Sequence, residues 1–336
     1  MKRIIYIILL TFSFSCSNDI PIKELNRIDV DCSIRRFEQE LFGMDTDTIG
    51  AAISYFYSKY DDFFDIFGYY VIDIGRPTEK NYPGLLQMFV NDNINREVFN
   101  TVNSIYPDLT DIETRFEDAF KRYKYYFRED SIPEIVSFIG GFNYPGFTVG
   151  NYLGIGLDMY LGGDNEYYRD LGLAEYIVRN MNKDHLVSDA LYNWANSRFP
   201  SGGKEENVLA RMIYEGKLIY LLEKLMPQQS LASLLGFSDD QMKWVTNNEE
   251  GMWVYLIENK LLYSNVLMDI QKLTGPAPFT SFFTSESPGR AVVFNGYRII
   301  QEYSKKNPGT DLQEIMRNTD YQDILRLSKY NPKLRR

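Results

Sequence analysis

The chain has 336 residues, 44% hydrophobic and 24% charged, with 26 Tyr, 22 Phe and 3 Trp. That supplies a substantial core and excludes a wholly disordered chain, and the length suits one large domain or two small ones. The formal net charge of -10 argues against DNA, RNA or anionic lipid as a partner of the body as a whole.

The N-terminus reads first. Lys2 and Arg3 form a positive n-region before the apolar run IIYIILLTFSF, which is too short for a transmembrane helix of about 20 residues. Ser15 before Cys16 resembles a bacterial lipobox, although Ser13 stands where that pattern prefers leucine. The expectation is a signal peptide over 1–15, acylation of Cys16 (palmitate, for example), a tether over 16–25 and one domain over 26–336. Several acyl chains anchor a protein stably, at about 0.8 kcal/mol per buried methylene. Acylation leaves only Cys32, so no intrachain disulfide forms and the core alone must stabilise the domain.

Beyond the tether, RIDVDCSIRRFEQELFG predicts a short strand running into a helix. Asp45 or Thr46 is placed to cap the helix predicted over AAISYFYSKYDDFFDIFGYYV. YPGLLQMFVND and INREVFNTVNSIYP predict short helices. In LTDIETRFEDAFKRYKYYF, apolar residues at 112, 116, 119/120, 123 and 127 mark an amphipathic helix, with Thr110 as the expected cap. PEIVSFIGG and YLGIGLDMYLGG are short and glycine-bounded, and read as two strands pairing antiparallel across NYPGFTVGN. Helical patterns then run from EYYRDLGLAEYIVRNM nearly to the end. The fold class expected is mainly α with a small antiparallel sheet (α+β), without repeats or a linker.

One helix, MIYEGKLIYLLEKLM, has the length and rhythm of a zinc-peptidase active-site helix, in which His-Glu-x-x-His puts two imidazoles on one face. Tyr214 and Leu218 occupy the histidine positions, while Glu215 keeps the place of the general base. Leu218 has no donor atom, and Tyr214 ligates only as a phenolate, whose ordinary pKa is about 10. With one histidine, His185, neither a two-histidine nor a multi-cysteine zinc site can be assembled. DMYLGGDNE is too loose for a calcium loop, so no metal and no cofactor are expected. The plainer reading is a core helix, with Met212, Ile213, Ile219, Tyr220 and Leu222 buried and Arg211 paired to Glu215. Gly216, costly in mid-helix, then permits close approach of another backbone, for which a β-strand is one option.

Four blocks in order behind the lipobox, YLGIGLDMYLGG, VLARMIYEGKLIYLLEKLMP, NNEEGMWVYLIENKLLYS and SPGRAVVFNGYRIIQEYSKKNP, resemble the gliding-motility lipoprotein family of the Bacteroidetes called GldB. The likeness covers most of the chain after the tether. That family in turn resembles zinc-dependent proteases of the gluzincin type. Their His, Glu and His would fall on Tyr214, Glu215 and Leu218, and their third ligand on Glu250, followed by Gly251. The resemblance implies a degenerate zincin-like metallopeptidase scaffold. Tyr152, Gly154, Gly156 and Asp158 would lie on a strand edging its former cleft.

The function expected is therefore that of a non-enzymatic envelope lipoprotein, associated with gliding-motility machinery or a related envelope process and acting through an envelope protein partner. It would be anchored in the outer membrane, with periplasmic or surface orientation left open. The rival is a hydrolase using carboxylates alone, with Glu215, Glu249, Glu250, Asp158 and Asp164 as candidates. A sugar-binding module would need exposed rings from WVYLIENKLLY or KRYKYYFRED aligned in a groove.

Overall fold

The computed structural model describes residues 20–203 and 206–332. The signal segment and Cys16 lie outside the described residues. Part of the expected tether does not: α1 (Ile22–Leu25) packs on a later helix, and Ile20 and Leu25 are buried. The folded body therefore begins by Ile20.

β1 (Ile34–Arg36) runs directly into α2 (Phe37–Gly43). Asp45 caps a 3-10 turn at 46–48 rather than α3 (Ile49–Tyr60) itself. The single helix expected next breaks at Asp61, whose φ of 42° ends α3 before α4 (Asp62–Ile66) and a π-helical turn at Phe67–Val71. Then follow α5 (Tyr82–Asn91), α6 (Asn93–Ile105) and α7 (Thr110–Tyr126). Thr110 is the first residue of α7 rather than its cap; the Asp108 carboxylate accepts its N–H at 3.1 Å. Ile112, Phe116, Ala119, Phe120, Tyr123 and Phe127 are all buried, as their spacing predicts.

The strands β2 (Glu134–Phe138), β3 (Gly146–Val149) and β4 (Tyr152–Gly156) join β1 in a mixed sheet of order β1-β2-β4-β3. The expectation of an antiparallel pair from 134–139 and 152–160 is corrected, because β2 and β4 run parallel. The connection between them holds its own strand, β3, which turns back through Gly150 (φ 53°) and takes the antiparallel place beside β4. Residues 157–160 leave the strand as a 3-10 turn.

Both faces of the sheet are covered, as parallel pairing requires. On one, Phe63 meets Phe138, Phe147 and Tyr152 within ring-centroid distances of 5.1–6.3 Å. Gly154 lies in their midst, where a Cβ would stand 3.0–3.1 Å from the rings of Phe147, Phe138 and Phe63. Phe37 extends this aromatic layer edge-on to Phe56, Tyr60, Phe63, Phe64 and Phe67. Leu153 and Ile155 alternate to the other face.

That second face receives α10 (Lys183–Arg198), reached after α8 (Glu166–Asp170) and α9 (Glu175–Val178). Gly172, at φ 67°, splits the single helix expected there. The remainder is α11 (Val208–Leu225), α12 (Leu231–Leu235), α13 (Asp239–Asn247), α14 (Glu249–Glu258), α15 (Leu267–Thr274), α16 (Val292–Lys306), α17 (Leu312–Arg317) and α18 (Tyr321–Ser328). One buried cluster runs from Cys32 to Tyr330 through both the sheet region and these helices.

Candidate functional site

The helix singled out by sequence is α11, whose Asn207 side chain caps it by accepting the Ala210 N–H at 2.9 Å. Its middle is buried all round, not along one stripe: Met212, Ile213, Tyr214, Gly216, Lys217, Leu218 and Ile219 are all inside. Gly216 explains how. A Cβ there would lie 2.2 Å from the Gly296 carbonyl carbon, and one at Gly296 would lie 1.8 Å from the Met212 carbonyl oxygen. Two glycines thus let α11 and α16 cross backbone to backbone. The close approach is to a helix rather than to the strand the sequence suggested.

Each position aligned with a zinc ligand by the peptidase resemblance has a structural occupation. Leu218 is fully buried. The Tyr214 hydroxyl donates to Asn196 Oδ1 at 2.6 Å, and burial pushes its pKa up, away from the phenolate. Glu215 points out of α11 toward the side of α10. Its Oε2 accepts from the Arg290 guanidinium at 2.8 Å and from the Tyr192 hydroxyl, and Oε1 lies 3.9 Å from Arg211. Only 12% of its side chain is exposed. Such a carboxylate is an anchor for a half-buried arginine, because a guanidinium left unpaired in that position is costly.

Glu250 is elsewhere. Its helix α14 packs on α13 and α16, and the α16 side chains Asn295 and Arg298 hold the neighbouring Glu249, through its carbonyl at 3.1 Å and its carboxylate at 3.3 Å. Glu250 itself lines a cleft with Asn248 and Val254, apart from the partners of Glu215. Among the described residues, no three His, Cys, Asp or Glu side chains converge in a way that could hold a metal ion.

The strand expected to edge a cleft is also reassigned. Tyr152, Gly154 and Gly156 belong to β4, which is paired on both sides and has no free ladder to offer a peptide. The outer strand here is β3. Asp158 is wholly buried, and its Oδ2 accepts the N–H groups of Gly140 at 3.0 Å and Phe142 at 2.7 Å. It fastens the β2–β3 connection, while burial raises its pKa to about 6. Asp164 is exposed on a turn, and His185 is half-buried in the first turn of α10, where burial lowers its pKa.

A different constellation occupies the other side of the Glu215 pair. A cavity of about 200 Å³ is lined by Ser188, Asp189 and Tyr192 of α10 together with Arg179, Gly236 and Arg290. Burial raises the Asp189 carboxyl to about 7, partly offset by the Tyr160 hydroxyl 3.3 Å away and by the charge of Arg290. Near neutrality, that carboxyl can therefore donate or accept a hydrogen bond. Arg290 has a positive φ of 53°, a conformation rare for a non-glycine residue. It is held there by the loop around it: the Ala291 N–H donates to Thr280 Oγ1 at 2.9 Å, and the Thr280 N–H to the Pro288 carbonyl. Gly289 makes the fold-back possible, since a Cβ there would strike the Ala277 backbone at 2.0 Å. Asp189, Tyr192 and Arg290 belong to no recognisable motif in the sequence. The available signals were the i, i+3 spacing of Asp189 and Tyr192 and the Pro288-Gly289 turn before Arg290. Neither reveals that residues about 100 positions apart meet.

The family model described as gliding motility protein GldB matches residues 18–332. The chain belongs to the GldB family. Membership makes it a gliding-motility-related lipoprotein of the cell envelope, in agreement with the blocks quoted from its sequence. No curated protein and no solved structure matches the chain. In this GldB-family fold, no described helix is long and apolar enough to cross a membrane.

Proposed function

We propose that this GldB-family chain is a non-enzymatic lipoprotein, held in the outer membrane by acylated Cys16, which acts by binding another envelope protein. The observation that carries the reading is the state of Glu215. The glutamate retained within the helix motif is engaged by Arg290, Arg211 and Tyr192 and presents no free carboxylate to a substrate. Glu249 is similarly engaged by Arg298 and by the Tyr330 hydroxyl at 2.9 Å. The cavity beside Asp189 and Arg290 is the natural seat for a partner's side chain, since it offers a cation, a phenol and a carboxyl of either protonation state.

The test is site-specific photo-crosslinking in cells from Tyr176 and Phe237, which line that cavity. Exposed Met88, far from it in sequence and on α5, serves as comparison. One envelope protein captured from the cavity positions but not from Met88, and lost in Arg290→Gln with folding intact, supports binding there. A second reading, hydrolysis, is favoured by one feature: a carboxyl titrating near 7 in a cleft suits a general acid or base. Turnover of envelope peptide or glycan by the purified chain, abolished in Asp189→Asn, would replace the binding reading.

A further inference from the structure

We propose that the end of the molecule where α1 docks rests directly on the lipid headgroups, so that the body is seated on the membrane instead of swinging on a tether. This rests on the reading of Cys16 as the acylated residue. Chain length restricts how far the body can stand from the bilayer. Ile20 is buried, Leu25 is buried, and the Glu24 N–H donates to the Pro21 carbonyl at 2.8 Å, so the fixed body starts four residues after Cys16. Fully extended, four residues span about 14 Å. An acylated Cys16 therefore keeps Ile20 within that distance of the bilayer.

The chemistry of that end points the same way. Ile20 shares a cleft with Tyr125 and Tyr126 from the last turn of α7, Tyr220 and Lys224 near the end of α11, and Ser304 near the end of α16. Three long helices thus finish together beside Ile20. Ile22 projects from α1 with 74% of its surface exposed, next to exposed Lys23, and Lys305 is exposed one residue beyond Ser304. Tyr220 is buried, but the half-buried rings of Tyr125 and Tyr126 and the exposed lysine stems suit the layer between headgroups and acyl chains, where an apolar body meets a polar tip. Of the acids nearby, Glu24 pairs with Arg27, Glu223 accepts from the Tyr297 hydroxyl and Glu302 pairs with Lys306, while Asp311 and Glu314 at the start of α17 are exposed and bond only to backbone N–H groups of their capping box.

Hydrophobicity alone would select another surface. Val266, Leu267 and Met268 are consecutive and exposed at the start of α15. They lie by the opposite end of α11, where the Val208 N–H donates to the Ser264 carbonyl. From Val208 to Lys224 the helix rises about 24 Å. The two surfaces make opposite forecasts, which an experiment can separate.

The lipidated full chain is reconstituted into phosphatidylethanolamine and phosphatidylglycerol vesicles carrying nitroxide-labelled lipid. Fluorophores are placed singly by Ile22→Cys, Lys224→Cys and Leu267→Cys; native Cys32 is buried and escapes labelling. Seating predicts quenching at 22 and 224, with 267 at the lipid-free baseline, and Ile22→Asp should weaken quenching at 224 while the protein still floats with vesicles. Flotation with no quenching at 22 or 224, or with quenching at 267 instead, overturns the seating and leaves the anchor intact. Loss of flotation together with an unmodified Cys16 by mass spectrometry removes the anchor reading, and the seating with it.

Discussion

Replacing Gly216 by alanine sets two physical effects against each other. Helix propensity favours alanine over glycine by up to about 1 kcal/mol in a helix interior. Packing opposes it, because the new methyl would sit 2.2 Å from the Gly296 carbonyl carbon and 2.3 Å from the Tyr297 nitrogen. Those are backbone atoms of α16, which cannot rotate away as a side chain would. Overpacking of a full core costs about 1–3 kcal/mol, and an obstructing backbone belongs at the upper end. The net expectation is a loss of about 2 kcal/mol. With an unfolding entropy of about 2.1 cal/mol/K per residue, a chain of this size should lose about 3 °C in Tm. Gly251→Ala is the control: it is exposed in α14 with nothing within 4 Å of an added Cβ, and should gain several tenths of a kcal/mol. Urea unfolding monitored by circular dichroism, compared at unchanged m-value, measures both. If Gly216→Ala is stabilised as much as Gly251→Ala, the backbone crossing of α11 and α16 is not what the glycine serves.

Further outcomes follow from the same geometry. Glu215→Ala leaves Arg290, with 23% of its side chain exposed, without its carboxylate, and should cost about 3 kcal/mol in denaturant unfolding; a neutral or stabilising result contradicts the anchoring role. The Asp189 carboxyl titrates at about 7 in the fold against an ordinary 3.8, so the folded state binds the extra proton between those values. Its contribution to stability is present below pH 3.8 and is lost as pH rises to 7; Asp189→Asn should flatten the fall in Tm over that window. Lys217 donates to the carbonyls of Met316 and Asn318, both at 2.8 Å, and burial lowers its pKa to about 7 from 10.5. The unfolded chain then holds the proton that the folded one has released, so stability should rise from pH 7 to 10.5, and Lys217→Met should abolish that rise. The same variant strands two carbonyls, each costing about 1–3 kcal/mol, against relief of a buried charge; thermal melts at pH 7 should show net destabilisation.

The amino-acid order alone determined the family, the helical class, most element positions and the inability of positions 214 and 218 to hold zinc. These are local facts: periodicity, turn residues and donor atoms are properties of neighbouring residues. Tertiary structure decided what no local pattern encodes. The parallel pairing of β2 with β4 depends on a third strand filling the antiparallel place, and so removed 152–156 from the edge of the sheet. Gly216 announced a close approach, but only packing named its partner as Gly296, 80 positions later. Only folding brings Arg290 and Tyr192 against Glu215, and Asp189 acquires its raised pKa from burial that its sequence neighbours do not foretell. Side-chain identity limits which chemistry is possible; proximity and desolvation, which arise only when distant segments pack, select what is used.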